Sequence, residues 1–462
     1  MQIRSFGQIF KIGGRDLMYS VLVAGGGLAG CEAAVRLLRK GFHVTLYEMK
    51  PKKFSPAHRS EDLAELVCSN SLKAVDLGSA AGLLKEEMRL LGSVCIEAAY
   101  FSRVPAGQAL AVDRDRFSQR VTRIVSSFPN LDIVRDELTD LDAILSYDAA
   151  IIATGPLTSD KLCGSISDLT GRSSLSFFDA AAPIVYADSI DKSRVFKASR
   201  YGKGSDDYYN CPMDKDEYEA FYQALIGAET ADVHDFDSLK LYEGCMPVES
   251  MALRGKDTLK FGPLKPVGLR RPDGTKPYAV VQLRQDNEEG TLYNIVGFQT
   301  RLKFSEQKRV FGMIPGLAEA EYARYGMMHR NTYLKSPGIL SSSFEYIDSY
   351  KEKPLFFAGQ MTGVEGYMES AASGIAAAIG VEKKLTEGSP LSLPDSTMIG
   401  ALAAYVANFK GKDFQPMGAN FGIVNSGGFF EGKKIRDKNV KKRMISEHSI
   451  ESLKSFIAEH DL

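Results

Sequence analysis

Two kinds of residue in this chain could do chemistry: thiols at loop positions, and glycines at a spacing that cradles phosphate. There are six cysteines (Cys31, Cys68, Cys95, Cys163, Cys211 and Cys245), with no C-x-x-C pair and no even framework. They read as reduced thiols rather than disulfides or zinc ligands, so no metal site is expected. Cys245 is flanked by Gly244 and Pro247. That puts it on a loop, where a neighbouring glycine lets a substrate approach the sulfur. Cys68 follows a predicted short helix, Asp62–Val67, and opens the polar turn Cys68-Ser-Asn-Ser71. A loop thiolate is a strong nucleophile and a ready leaving group. A thiol that merely packs does neither. The cysteine positions alone leave both readings open.

The glycines lie in Val21–Gly30, VLVAGGGLAG. Gly25, Gly27 and Gly30 satisfy G-x-G-x-x-G after an apolar run, and a helical pattern with Ala33, Ala34, Leu37 and Leu38 apolar follows. Phe42–Tyr47 reads as a second strand ending at Glu48. Each part has a physical job in binding a dinucleotide: a tight turn at Gly25, close backbone approach at Gly27, and close helix–strand packing at Gly30. The helix N-terminus presents free N–H groups to phosphate. Glu48 can accept hydrogen bonds from ribose hydroxyls. The pattern does not separate FAD from NAD.

These residues must be held by a larger frame. The chain has 462 residues, enough for two or three domains, with 44% hydrophobic and 25% charged residues. A net charge of −1 carries no global nucleic-acid signature, so any RNA contact must use a local patch. No apolar run reaches transmembrane length, and residues 1–17 lack the apolar core and cleavage site of a secretory signal. A cytoplasmic protein with no membrane contact is expected. Met18, just before the first strand, is a second candidate start.

Further along, Ala80–Leu91 and Phe117–Ser127 read as helices and Leu131–Val134 as a strand. Ala149–Gly155 is a buried strand ending in Ala-Thr-Gly, which favours a flavoprotein over a simple dehydrogenase. From about Ser176 to Arg330 aromatic residues cluster and the strand–helix alternation becomes irregular, as in an inserted domain. Lys303, Lys308 and Arg309 form a basic cluster there. Near the end, strand Leu355–Ala358 runs into Gly359, Gly363 and Gly366, followed by a small-residue helix, Glu369–Ile379. Such a turn can aim a helix N-terminus at a flavin ring. Lys433–Arg443 carries seven basic residues and one acid, a solvated face or a phosphate contact.

The ordered blocks GGGLAGCEAA (25–34), AELVCSNSL (64–72), VPAGQALAVDRD (104–115), YNCPM (209–213), EGCMPVE (243–249), FGPLKPVGL (261–269), VQLRQDN (281–287), VGFQT (296–300), MHRNT (328–332), GQMTGVEGYMESAASG (359–374) and FQPM (414–417) resemble the folate- and FAD-dependent tRNA (uracil-5-)-methyltransferases. These are relatives of the larger flavoproteins that modify the tRNA wobble uridine. The likeness runs from about Met18 to Gly422.

The resemblance implies an α/β fold: a Rossmann-like FAD-binding domain with a central parallel sheet, interrupted by an inserted α+β domain. The expected segments are an N-terminal extension (1–17), the FAD-binding domain in two parts (18–175 and 331–425), the insertion (176–330) and a basic C-terminal tail (426–462).

The activity it implies is C5-methylation of uridine in the tRNA T-loop. Methylenetetrahydrofolate gives the carbon, reduced FAD gives electrons and carries the methylene, and NAD(P)H is a co-substrate. Ribosomal RNA is the alternative target. By the same resemblance, Gly25, Gly26, Gly27, Leu28, Ala29, Gly30, Glu48, Gly359, Gly363 and Gly366 hold FAD. Cys245 adds to uracil C6, and Cys68 handles the C5 proton. The first turn reads Gly-Gly-Gly where Gly-Ala-Gly is usual, and Arg59 follows His58 where a second histidine is expected. Rival readings are a wobble-uridine-type enzyme, a non-catalytic RNA-binding flavoprotein, and a plain NADH oxidase, which leaves EGCMPVE unexplained.

Overall fold

The computed structural model describes residues 11–12, 15–16, 18–172, 175–202, 205–231, 246–430 and 435–462. Its centre is a five-stranded, all-parallel sheet in the order 355–357, 149–152, 20–24, 43–47, 131–134. The central strands are apolar on both faces because helices cover both, so Val21–Ala24 and Ala149–Ile152 are fully buried.

The helix Leu28–Arg39 returns from the first strand, and the helix Tyr367–Glu387 crosses beside it. A Cβ on Gly374 would lie 2.1 Å from the Ala29 carbonyl oxygen, so the two helices meet backbone to backbone. The small residues Ala371, Ala372 and Ala376–Ala378 permit that approach and are buried.

A second, six-stranded sheet is antiparallel, in the order 196–197, 208–213, 279–285, 292–295, 184–186, 322–324. It has its own core around Phe221, Phe298 and Phe311. The helix Lys215–Ile226 belongs to that core and starts with a capping box between Asp214 and Glu217. The chain passes between the two units through an antiparallel ribbon, Leu175–Ala180 against Met328–Tyr333. A small three-stranded sheet, 71–74, 109–112 and 103–104, lies directly after Cys68 in the chain.

Several elements differ from the sequence-based expectation. Asp62–Val67 is not a helix but a run of bends and turns. The Glu65 carboxylate accepts the N–H groups of Arg59 and Ser60, and Ala64, at φ +54°, donates its N–H to the Gly26 carbonyl at 2.8 Å. These contacts satisfy the backbone without helical bonds. The late small-residue helix runs from Tyr367 to Glu387, well beyond Ile379. The expected tail holds the helix Lys438–His460, capped by Asp437, with Ile445, Ser449 and Leu453 buried. Ser449 donates to Glu87 at 2.7 Å, fixing this helix to Ala80–Leu90. Lys438, Lys441, Lys442 and Arg443 remain exposed.

Candidate functional site

The carboxyl ends of the parallel strands open on a cleft of about 1100 Å³, part of it continuous with solvent. Residues 24–29 and Glu48 form one wall, Ala153–Ser159 a second, and Gly359, Gln360, Tyr367 and Ser370 a third. This is where parallel α/β sheets place their ligands.

The fingerprint glycines have separate reasons to be glycine. Gly25 has φ +100°, and a Cβ there would lie 2.6 Å from the Ala153 carbonyl oxygen. A Cβ on Gly30 would lie 1.8 Å from the Gly25 carbonyl oxygen. Gly27 differs, since a Cβ there would meet nothing within 4 Å. Its open side belongs to the cleft, at the N-terminus of a helix that no side chain caps. Glu48 is buried beside it, accepting the Gly26 N–H and the Lys50 N–H, each at 2.9 Å. An acyclic carboxylate has lone pairs beyond those two bonds for hydroxyl donors. Open space at Gly27, free helix N–H groups and a buried acid together fit a dinucleotide such as FAD.

The three late glycines separate. Gly359 (φ +87°) lines the cleft and donates its N–H to Ser373 at 2.7 Å. Gly363 lies away from the cleft lining, and a Cβ there would strike the Phe414 ring at 2.4 Å. Gly366 begins the Tyr367–Glu387 helix, next to Glu369 and Lys73. His58 also lines the cleft, with Nδ1 2.6 Å from the Ser55 hydroxyl. Burial and the Lys50 charge lower its pKa, so it is neutral at pH 7.

Cys68 lies beside this cleft. Its neighbour Val67 and the side chain of Tyr367 are both part of the lining. The Tyr367 hydroxyl accepts the N–H of Cys68 at 2.7 Å and of Ser69 at 3.1 Å, and the Cys68 thiol faces the Ala180 carbonyl at 3.6 Å. Burial raises the Tyr367 pKa well above its ordinary value, so the phenol stays neutral.

Arginines surround this loop. Arg284 donates to Asn70 and Ser69, each at 3.0 Å. Arg114 donates to the Leu66 carbonyl at 3.1 Å and pairs with Asp286 at 3.1 Å. Arg114 and Arg324 lie within electrostatic reach of the Cys68 sulfur. Burial lowers the Arg324 pKa, with repulsion from Arg114 and Arg59 adding to it, and its Nε has no hydrogen-bond partner among the described residues. Arg114 and Arg324 thus place positive charge beside this loop.

By contrast Cys31, Cys95 and Cys211 are completely buried, and that burial pushes their thiols upward. They are packing residues. Cys245 lies outside the described residues. The described chain resumes at Met246, and Val248 there donates to the Gln299 carbonyl at 2.7 Å. Glu249 accepts from Thr300 and from the Arg301 N–H, both at 2.8 Å.

The basic cluster at 303–309 is largely neutralised, with Lys303 on Glu229 and Arg309 on Glu306, both at 2.6 Å. Among the described residues no group of three or more His, Cys, Asp or Glu could hold a metal ion, and no helix is long and apolar enough to cross a membrane.

The family model described as glucose inhibited division protein A matches residues 20–389. The chain is 53% identical over 440 residues to the methylenetetrahydrofolate--tRNA-(uracil-5-)-methyltransferase TrmFO of Acetivibrio thermocellus, covering 95% of this chain and 98% of that protein. The protein of the same name from Lactococcus lactis subsp. lactis is 52% identical over 449 residues, covering 95% and 98%. Among solved structures, Aquifex aeolicus GidA in its form II crystal superposes with a TM-score of 0.67 at 16% identity, over 96% of this chain and 73% of that one. That likeness concerns the fold alone.

Proposed function

The chain belongs to the methylenetetrahydrofolate--tRNA-(uracil-5-)-methyltransferase family, and we propose that it methylates uracil C5 in RNA, at the T-loop uridine of tRNA, with methylenetetrahydrofolate as carbon donor. FAD occupies the cleft in this reading, with its diphosphate at Gly27 and the Leu28–Arg39 helix N-terminus and a ribose at Glu48. The chemistry a bound, reduced flavin supplies is hydride donation, and NAD(P)H is the reductant that restores it.

The residues of this chain do the rest. Uracil C5 is a poor nucleophile until a thiolate adds at C6 and makes C5 enolate-like. Cys245 takes that role. C5 then attacks the activated one-carbon unit. Cys68 removes the C5 proton as the carrier leaves the one-carbon unit, giving an exocyclic methylene; a hydride then adds to that carbon and the C6 sulfur departs, restoring the ring as 5-methyluracil. Arg114 and Arg324 favour the thiolate form of Cys68 in this scheme, and Tyr367 holds its backbone in place.

The observation that carries this reading is the position of Cys68: a half-buried thiol beside the dinucleotide cleft, within reach of two arginines. The test is incubation of the protein with methylenetetrahydrofolate, NADPH and unmodified tRNA or ribosomal RNA, followed by mass spectrometry of nucleosides. The expected product is 5-methyluridine in tRNA, lost in Cys245→Ala and Cys68→Ala. Absence of product on both RNAs, with the flavin reduced, overturns the proposal.

A further inference from the structure

The block FGPLKPVGL has no part in the chemistry above, yet it carries the most exposed aromatic ring among the described large hydrophobic side chains. Phe261 is 85% exposed, Leu253 67% and Val267 53%. The segment 254–276 that holds Phe261 and Val267 contains seven basic residues (Arg254, Lys256, Lys260, Lys265, Arg270, Arg271, Lys276) and two acids (Asp257, Asp273) in a chain whose net charge is −1.

Part of that charge is internally used. Lys256 pairs with Glu219, and Lys260 pairs with Asp257 and sits 3.9 Å from the centre of the Tyr278 ring. Lys265, Arg270, Arg271 and Lys276 make no ion pair among the described residues. Leu259, Leu264 and Leu269 are the buried residues of the segment, and the Leu264 carbonyl accepts the Val280 N–H at 3.1 Å.

This loop is tied to the Cys68 loop through one strand. Arg284 and Gln282 lie on the same face of Ala279–Gln285, two residues apart. Arg284 holds Asn70 and Ser69, while Gln282 accepts from Arg200, which in turn donates to the Val267 carbonyl at 2.8 Å. From Val280, bonded to Leu264, to Arg284 is about 13 Å along the strand. That is a span of a few nucleotides.

An exposed ring on the same short segment as four cations without ion pairs among the described residues is the chemistry of a single-stranded nucleic-acid platform: bases stack on the ring and phosphates take the cations. A second copy of this chain, itself near neutral, offers no complementary excess of negative charge. We propose that the 254–276 segment, with Phe261 at the end of the short helix Thr258–Phe261, docks the RNA next to the reacting uridine. Phe261 stacks an unpaired base, and Lys265, Arg270, Arg271 and Lys276 contact phosphates. This rests on the RNA-methylating reading above.

The test uses the full-length holoprotein and fluorescently labelled unmodified tRNA, with anisotropy read at several salt concentrations. Phe261→Ala should weaken binding roughly ten-fold, and Phe261→Trp should restore it. Replacing Lys265, Arg270, Arg271 and Lys276 together by alanine should flatten the log–log salt slope by about 3. In turnover, KM for RNA should rise while kcat holds, and NADPH-driven flavin reduction without RNA should stay at the wild-type rate. Wild-type affinity and slope in these variants, in a protein that binds and methylates RNA, would overturn this inference alone. A change in sedimentation with unchanged RNA affinity would assign the surface to a second copy and also overturn it. A wild-type protein that neither binds nor methylates RNA would overturn both this inference and the functional reading beneath it.

Discussion

The dinucleotide cleft and the Cys68 loop share a wall but are made of different materials. The cleft is backbone: Gly25, Gly27 and Gly359 leave room, and helix N–H groups supply the polarity. The Cys68 loop is side chain: Arg284 and Arg114 grip it, Arg324 adds charge, and Tyr367 holds two of its N–H groups. A site of backbone tolerates little change in shape but is indifferent to distant chemistry. A site of side chains depends on groups from separate elements, here Arg284 and Arg324 on the antiparallel sheet and Arg114 and Tyr367 on helices. Emptying the cleft and disabling the thiol loop should therefore be separable everywhere except at Tyr367, which serves both.

The sharpest way to break that separation is Cys68→Ala. Methylation should fall on the order of 10²- to 10⁴-fold, as for loss of a group that moves a proton. Flavin absorbance of the purified protein should be unchanged. Loss of flavin would show that the two regions are one.

Next come the fingerprint glycines. Gly30→Ala forces a Cβ to 1.8 Å from a carbonyl oxygen and should cost about 3 kcal/mol in denaturant unfolding. Gly27→Ala fills only open space, so unfolding should move within about 1 kcal/mol while flavin retention drops. Equal destabilisation by both would refute the distinction drawn between them.

Tyr367→Phe strips an acceptor from two N–H groups and should cost about 1–3 kcal/mol locally. Because Tyr367 touches both regions, it should reduce methylation more than flavin binding, and kinetics alongside flavin titration would read the ratio.

The smallest effect concerns Glu87, remote from both. Burial pushes its carboxyl up to about 7, although it accepts Met398 N–H at 2.7 Å and Ile399 N–H at 2.9 Å. A folded pKa above the unfolded value means the native state binds the extra proton. Stability from this group is then full below about pH 4.5 and declines as pH rises toward about 7. Glu87→Gln should flatten melting temperature against pH across that window while leaving both regions active.

The same contrast explains what could be read from residues alone. The glycine spacing, the acid at position 48 and the strands at 131–134 and 149–152 are local patterns that announce a dinucleotide-binding unit, and the family resemblance extended them to the whole fold class. The Asp62–Val67 segment has a helix-like composition, but Glu65 and Ala64 spend their bonds on the loop and on Gly26. Gly363 and Gly366 share a turn with Gly359, yet only a three-dimensional neighbour, Phe414, distinguishes Gly363. The arginine ring went unread because its members lie at 114, 284 and 324. One signal was present: a charged residue next to Leu283 in the strand AVVQLRQ, after the apolar run Ala279–Val281, implies a buried partner. The helix at 438–460 was hidden because its basic start masks the few apolar residues that dock it.

The backbone-to-backbone meeting of Ala29 and Gly374 has a consequence for how this protein is made. The nucleotide-binding motif leaves the ribosome first, but its third wall and the neighbouring helix are encoded more than 300 residues later. A nascent chain must therefore carry a half-built parallel sheet, with the edge at 149–152 unpaired, until 355–357 emerges. Cofactor capture belongs to the last third of synthesis, and a truncated chain that ends before that point has the motif but not the cradle.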